Sequence, residues 1–184
     1  MIDFRPFPNI ETKNLILRRM DYSDANDLFE MRKDPRMIEH TDTKLDESIH
    51  ETKDYIDKMN NGIDANEWII WAIEHKQSKK VIGSISIWNI NREETNGELG
   101  YGIIPDYQGQ GLMKEALLNV VKYGFNIMNL KDILAYTEEN NLKSIRLLEK
   151  CNFVEIDRIS EEGYFNNRTY NMAVYRLENQ NNRP

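Results

Sequence analysis

Cysteine is almost absent: the 184-residue chain holds one, Cys151, which excludes an intramolecular disulfide framework. Histidine is scarce too, and the three at positions 40, 50 and 75 show no metal-ligand spacing, so no metal is expected. The longest uninterrupted apolar run, residues 68–73, is far shorter than the ~20 residues a membrane-spanning helix needs, so no membrane association is expected. Residues 1–6 lack a basic segment followed by an apolar one, and the expected location is the cytoplasm. Positive charge is in deficit, with 24 basic against 31 acidic side chains and a net charge of −7. Affinity for nucleic acid rests on many Lys and Arg contacts to phosphate, so no nucleic-acid partner is expected and a cationic one suits the surface better. No repeat and no linker rich in Pro, Gly and Ser interrupts the chain, which predicts a single domain over 1–184 with a disordered tail at 178–184.

What is present is a pattern of short elements with alternating periods. Residues 15–19 predict a strand, and Ser23 is the expected N-cap of a helix with Ala25, Leu28 and Phe29 on its apolar face, stopped by Asp34-Pro35. A second helix is expected from about Asp46, with Ile49, Ile56 and Met59 on one face and Gly62 as its left-handed cap. Residues 67–74 and 81–89 predict a β-hairpin, and residues 98–104 a further strand closed by Pro105. Apolar residues at 112, 116, 117, 120, 121, 125 and 128 predict a long helix. A strand at 133–137, a helix from Asn141 to Lys150 and two last strands complete the order β-αα-βββ-α-β-α-ββ. The fold class is α/β of the α+β type: a mixed, mostly antiparallel sheet of about seven strands with four helices.

The most informative stretch lies between the fourth strand and the long helix, where Gln108-Gly109-Gln110-Gly111-Leu112-Met113 stands. Two glycines allow close backbone approach, and the helix start offers unpaired N–H groups and the positive dipole end, so the turn suits a phosphate or pyrophosphate. The dinucleotide pattern G-x-G-x-x-G fails at Lys114, and no Walker pattern occurs. A plain strand-to-helix connection fits the spacing equally well.

This loop resembles the pyrophosphate loop Q/R-x-x-G-x-G/A of the GNAT superfamily of acetyl-CoA-dependent N-acetyltransferases. Thr12-Lys13-Asn14-Leu15-Ile16-Leu17-Arg18 is similar to the opening strand of its RimJ/RimL-like branch, and Glu98-Leu99-Gly100-Tyr101 to that branch's fourth-strand signature. Residues 141–153, which run from Asn141 through Ser144 to Glu149-Lys150-Cys151-Asn152-Phe153, resemble N-x-x-S-x-x-x-x-E-K-x-G-F. The resemblance implies acetyl-CoA as co-substrate and a primary amine as acceptor, with a protein N-terminal α-amine leading. A polyamine, amino acid or aminoglycoside is the alternative, as is a non-catalytic acyl-CoA-binding domain; a monomer or homodimer is expected. The implied cofactor-binding set is Ile103, Gln108, Gly109, Gln110, Gly111, Leu112, Met113, Asn141 and Ser144. Met113 departs from the family's Gly or Ala and is expected to put a long side chain beside the pyrophosphate.

Acetyl transfer from a thioester needs a neutral amine, a donor to the oxyanion and a proton for the thiolate. Glu98 is the expected general base, directly or through a water; as a structural alternative it is a solvated strand-start glutamate. The acid that many family members carry as Tyr falls on Leu148, which cannot donate, so Ser144 is the expected hydrogen-bond donor to sulfur, or simply a helix-start serine. Main-chain N–H groups between Tyr101 and Ile103 are the implied oxyanion donors. Tyr101, Tyr136 and Tyr164 are assigned to ordinary packing, and Cys151 to a buried thiol.

Overall fold

Residues 69–73 are apolar without alternation, which only a strand covered on both faces can satisfy. The computed structural model describes residues 2–180 and makes this stretch the heart of strand β3. In chain order the elements are β1 (Ile10–Glu11), β2 (Leu15–Arg18), α1 (Ala25–Arg32), α2 (Ile49–Asp64), β3 (Ile69–His75), β4 (Val81–Asn91) and β5 (Asn96–Ile103). Then follow α3 (Leu112–Asn126), β6 (Asp132–Glu138), α4 (Leu142–Lys150), β7 (Val154–Glu162) and β8 (Thr169–Glu178). They form an eight-stranded sheet in the order β1-β2-β3-β4-β5-β6-β8-β7, antiparallel throughout except between β5 and β6. The expected architecture is present with one strand more: β1 is two residues long and pairs with β2, too short to leave a periodic signal.

Two helix boundaries differ from expectation for identifiable reasons. Ser23 sits inside a short 3₁₀ turn whose cap is Asp21; the Asp21 carboxylate accepts from Ser23 N, and Asp24 reaches back to Asp21 N. The second helix is capped by Ser48 in a box with Glu51, and it runs through Gly62 instead of ending there. Gly62 is glycine because the Trp68 indole lies where a Cβ would be, 2.0 Å away, while Asn66 takes the left-handed turn at φ 56°.

Helix α3 buries Leu112, Met113, Ala116, Leu117, Val120, Val121 and Gly124 against the sheet. At Gly124 a Cβ would come within 3.0 Å of Ile87 and Ile133, so helix and strands approach closely there. The α3 end nearest the glycine turn is tied to the β1–β2 turn by Glu115. Its carboxylate accepts from Thr12 Oγ1 at 2.5 Å, Asn14 N at 2.7 Å and Asn14 Nδ2 at 2.8 Å. The chain's end differs from expectation: Glu178 closes β8 and Asn179 is buried, its side-chain amide donating to Leu130 O. The pairing of β8 with β6 carries order past the expected boundary, and residues 181–184 lie outside those described. Among the described residues no helix is long and apolar enough to cross a membrane.

Candidate active site

Parallel pairing between β5 and β6 stops almost as soon as it starts. The register runs Asn96 to Asp132, Gly97 to Ile133 and Glu98 to Leu134, after which β5 continues to Ile103 and β6 to Glu138 with no further pairs between them. The sheet is therefore split there, and the stretch 99–103 has no strand partner on its β6 side among the described residues. Unpaired backbone N–H groups facing a cleft are the donors that a tetrahedral oxyanion requires. Ile103, at the inner end of that stretch, is buried.

One flank of the split leads into the glycine turn. Gly109 and Gly111 have φ of 74° and 79°, and a Cβ built on either meets nothing within 4 Å. Backbone conformation, not crowding, is what requires glycine at both positions. Gly111 is the N-cap of α3 and supplies no side-chain cap, so the first-turn N–H groups remain available to an anion. Gln108 bridges the opening: its Nε2 donates to Ile103 O at 3.2 Å, and its Oε1 accepts from Lys143 Nζ of α4 at 3.0 Å. Gln110 instead donates to Asp106 O at 3.1 Å and shapes the turn itself. Leu112 and Met113 are buried in the core. The expectation for Met113 is corrected: its place on the helical repeat turns the side chain toward the sheet, away from the exposed turn.

The other flank carries α4. Asn141 caps it, accepting from Ser144 N at 3.2 Å. Ser144 Oγ shares a 2.7 Å hydrogen bond with Tyr101 Oη, across from β5 to α4. Burial pushes the Tyr101 phenol up to about 12. Leu148 is fully buried, in keeping with a packing role, and the Cys151 thiol is buried and pushed up by that burial. Sequence reading missed Tyr101 and Lys143 as site residues; Lys143 was a visible cation two residues after Asn141, whereas the partner of Tyr101 lies 43 residues away.

Glu98 stands at the last paired position, where the split begins. Burial pushes its carboxyl up to about 7, Glu161 on β7 adds to the rise, and a long 3.5 Å hydrogen bond from Asn89 opposes it. Burial likewise raises Tyr136 on β6, with Glu98, Glu161 and Asp157 adding to the shift, so acidic groups gather on this side. A segment between α1 and α2 closes over the same region. Glu138, buried at the end of β6, accepts from His40 Nδ1 at 2.6 Å and from Arg168, and Asp42 accepts from the backbone N–H of Tyr164 and Phe165. Tyr164 does not pack as expected: it is exposed at the tip of the β7–β8 connection.

A sheet split between two parallel strands, with a glycine turn presenting free N–H groups along one flank, is a site that can take an extended anionic ligand. Comparison with known proteins makes the class specific: the chain belongs to the acetyltransferase (GNAT) domain family, whose model matches residues 14–154. It is an acetyl-CoA-dependent N-acetyltransferase. It is 30% identical over 171 residues to an uncharacterised N-acetyltransferase, YoaA, of Bacillus subtilis, covering 93% of this chain and 97% of that protein. It is also 30% identical over 123 residues to the spermidine N(1)-acetyltransferase of Vibrio cholerae, covering 66% of this chain and 70% of that one. The fold matches the crystal structure of ribosomal-protein-S5-alanine acetyltransferase from Vibrio fischeri with a TM-score of 0.83 at 23% identity, over 96% of this chain and 100% of that one.

Proposed function

We propose that this enzyme acetylates an α-amino group by direct attack on acetyl-CoA, with Glu98 as general base. Placement of Glu98 at the head of the split, with a carboxyl near 7, carries the reading. An α-ammonium at ~7.7–8.0 lies within about one unit of such a base, whereas an alkylammonium near ~10.4 lies more than three units above it. The base and the acceptor are thus matched near neutral pH. In this reading Gly109, Gln110, Gly111 and the first turn of α3 at Leu112 and Met113 hold the pyrophosphate by main-chain N–H groups. Gln108 and Lys143 border it, and Asn141 and Ile103 flank the pantetheine arm. Backbone N–H groups between Tyr101 and Ile103 receive the carbonyl oxygen as it gains charge, and Ser144 hydrogen-bonds the sulfur.

A second reading, a polyamine as acceptor, is supported by the acidic groups Glu98, Asp157 and Glu161 around Tyr136 and by the similarity to a spermidine N(1)-acetyltransferase. Acetyl-CoA-dependent thiol release decides between them. Peptides with a free N-terminus and no lysine are run beside spermidine and an aminoglycoside at pH 7.5. The α-amine reading expects turnover with the peptides at least ten times that with spermidine; the reverse order overturns it.

A further inference from the structure

Position 148 holds leucine, so no side chain there donates a proton to the departing thiolate, and among the described residues the split carries a hydroxyl pair, Tyr101 with Ser144. The direction of that hydrogen bond follows from elementary accounting. Among the described residues Ser144 Oγ is the only hydrogen-bond partner of Tyr101 Oη. The Tyr101 ring is partly buried, and Ser144 Oγ is the one protein acceptor within reach of its proton among the described residues. Leaving that bond unmade would be costly, so the proton points at Ser144. A serine hydroxyl has one proton and two lone pairs, and with one lone pair occupied by the tyrosine its own proton remains to be given elsewhere. Among the described residues Ser144 Oγ makes no hydrogen bond besides the one to Tyr101, so its proton is not committed to a protein acceptor.

We propose that Tyr101 is a positioning residue that donates to Ser144 Oγ and thereby turns the Ser144 proton into the split, toward the thioester sulfur. This rests on the assignment of Ser144 to the sulfur made above. The chain Tyr101–Ser144–sulfur polarises each bond in the same sense, which strengthens the terminal donor. It does not act as a proton relay. Burial holds the Tyr101 phenol at about 12, above an ordinary thiol, so the tyrosine proton stays on its own oxygen. The carbon–sulfur bond breaks with its electron pair on sulfur, Ser144 holds the thiolate by a hydrogen bond, and water supplies the proton. The amine's proton leaves to Glu98. Cys151, the other titratable group beside Tyr101, is a neutral buried thiol and does not compete as an anion.

The test is a double-mutant cycle read by steady-state thiol release, with melting temperature and CoA affinity recorded for every variant. Tyr101→Phe keeps the ring and is expected to lower kcat about tenfold, with KM for acetyl-CoA within about twofold and the pH profile unchanged. Ser144→Ala is expected to lower kcat at least as much, and the double variant to match Ser144→Ala alone. Ser144→Thr, which retains the hydroxyl, restores most of kcat only when Tyr101 is present. A double variant whose loss is the product of the two single losses overturns the proposal, as does an unaltered kcat in Tyr101→Phe. A basic limb that disappears in Tyr101→Phe would show a relay and also overturn it. If Ser144→Ala binds CoA and turns over normally, the assignment of Ser144 fails first; if Ser144→Ala is impaired and Tyr101→Phe is not, only the present inference fails. Should Tyr101→Phe not fold, the Ser144→Thr and Ser144→Ala pair at least decides whether the hydroxyl itself is needed, and no advantage of Thr over Ala overturns the proposal.

Discussion

At the scale of single residues, Glu98 is where stability and chemistry oppose each other. Its folded pKa lies near 7, above the unfolded value of about 4.5, because burial penalises the charged carboxylate. The native state therefore binds the proton more tightly, and stability falls as pH rises from about 4.5 through 7, then stays level. Glu98→Gln removes this cost: the variant is expected to melt higher than the parent at pH 8, with the gap closing toward pH 4.5. Activity moves the other way. The variant falls about a hundredfold in rate, the low end of general-base contributions, because an α-amine needs modest help. The acidic limb of its kcat/KM profile moves from near pH 7 up to that of the amine itself, ~7.7–8.0. A parent profile flat between pH 6 and 8 would remove Glu98 from the base role. The place of Glu98 at a strand start was legible in the sequence, but its pKa was not, since burial by the folded chain sets it, with Glu161 adding from a strand far along the chain. Met113 shows the opposite difficulty: its identity departs from the family pattern, yet the helical repeat, not the identity, decides that it faces the core.

Among elements, the connection between α1 and α2 is held by contacts to β6 and the β7–β8 connection. Glu138 is the centre of that attachment, a buried carboxylate with His40 on one side and Arg168 on the other. Arg168 also donates to Glu39 O at 3.1 Å and lies 4.7 Å from the Tyr170 ring centroid, and Tyr170 Oη donates to Thr41 O. Removing one partner of a buried ion pair leaves the other uncompensated, which costs about 3–5 kcal/mol when both are buried. Arg168 and His40 are partly solvated here, so Glu138→Ala is expected to cost about 2 kcal/mol. Chemical denaturation measures that loss. On the proposed reading the attachment at Glu138 sits on the amine's side, so KM for the amine is expected to rise several-fold and KM for acetyl-CoA less, since the same segment also meets the glycine-turn side through Arg36, 3.9 Å from Asp106. Equal changes in both would show that the segment does not act on the acceptor alone. None of this attachment was legible: residues 39–42 have no periodic pattern, and the partners that Glu39, His40, Thr41 and Asp42 find on β6, the β7–β8 connection and the start of β8 lie more than 90 positions away. Helix and strand types were legible because period and capping residues are local, whereas Gly62 was misread as a cap since only the folded chain brings Trp68 against it.

For the molecule as a whole, the order of elements was readable from period alone, but the split between β5 and β6 was not, because both strands run on past the last pair and neither carries a mark at that point. The split matters thermodynamically, since an anionic, extended ligand that enters it ties β5, the α3 start and α4 together only in the folded state. Binding to the native state alone stabilises by about 2.7 kcal/mol at a hundred times Kd. For a chain of this size each kcal/mol raises Tm by about 2–4 °C, so saturating acetyl-CoA is expected to raise Tm by about 5–11 °C. Free CoA shares the pyrophosphate and pantetheine arm and should act nearly as strongly, while ATP and NADH, which lack the arm, should shift Tm little. Gly111→Asp separates turn from fold. At φ 79° any side chain there costs about 1–2 kcal/mol in strain, so the variant melts a few degrees lower without ligand. Its carboxylate would meet the pyrophosphate at the helix start, and the acetyl-CoA shift should vanish. A shift of the parental size in Gly111→Asp would detach the ligand from the turn, and with it the reading of the split as the acetyl-CoA site.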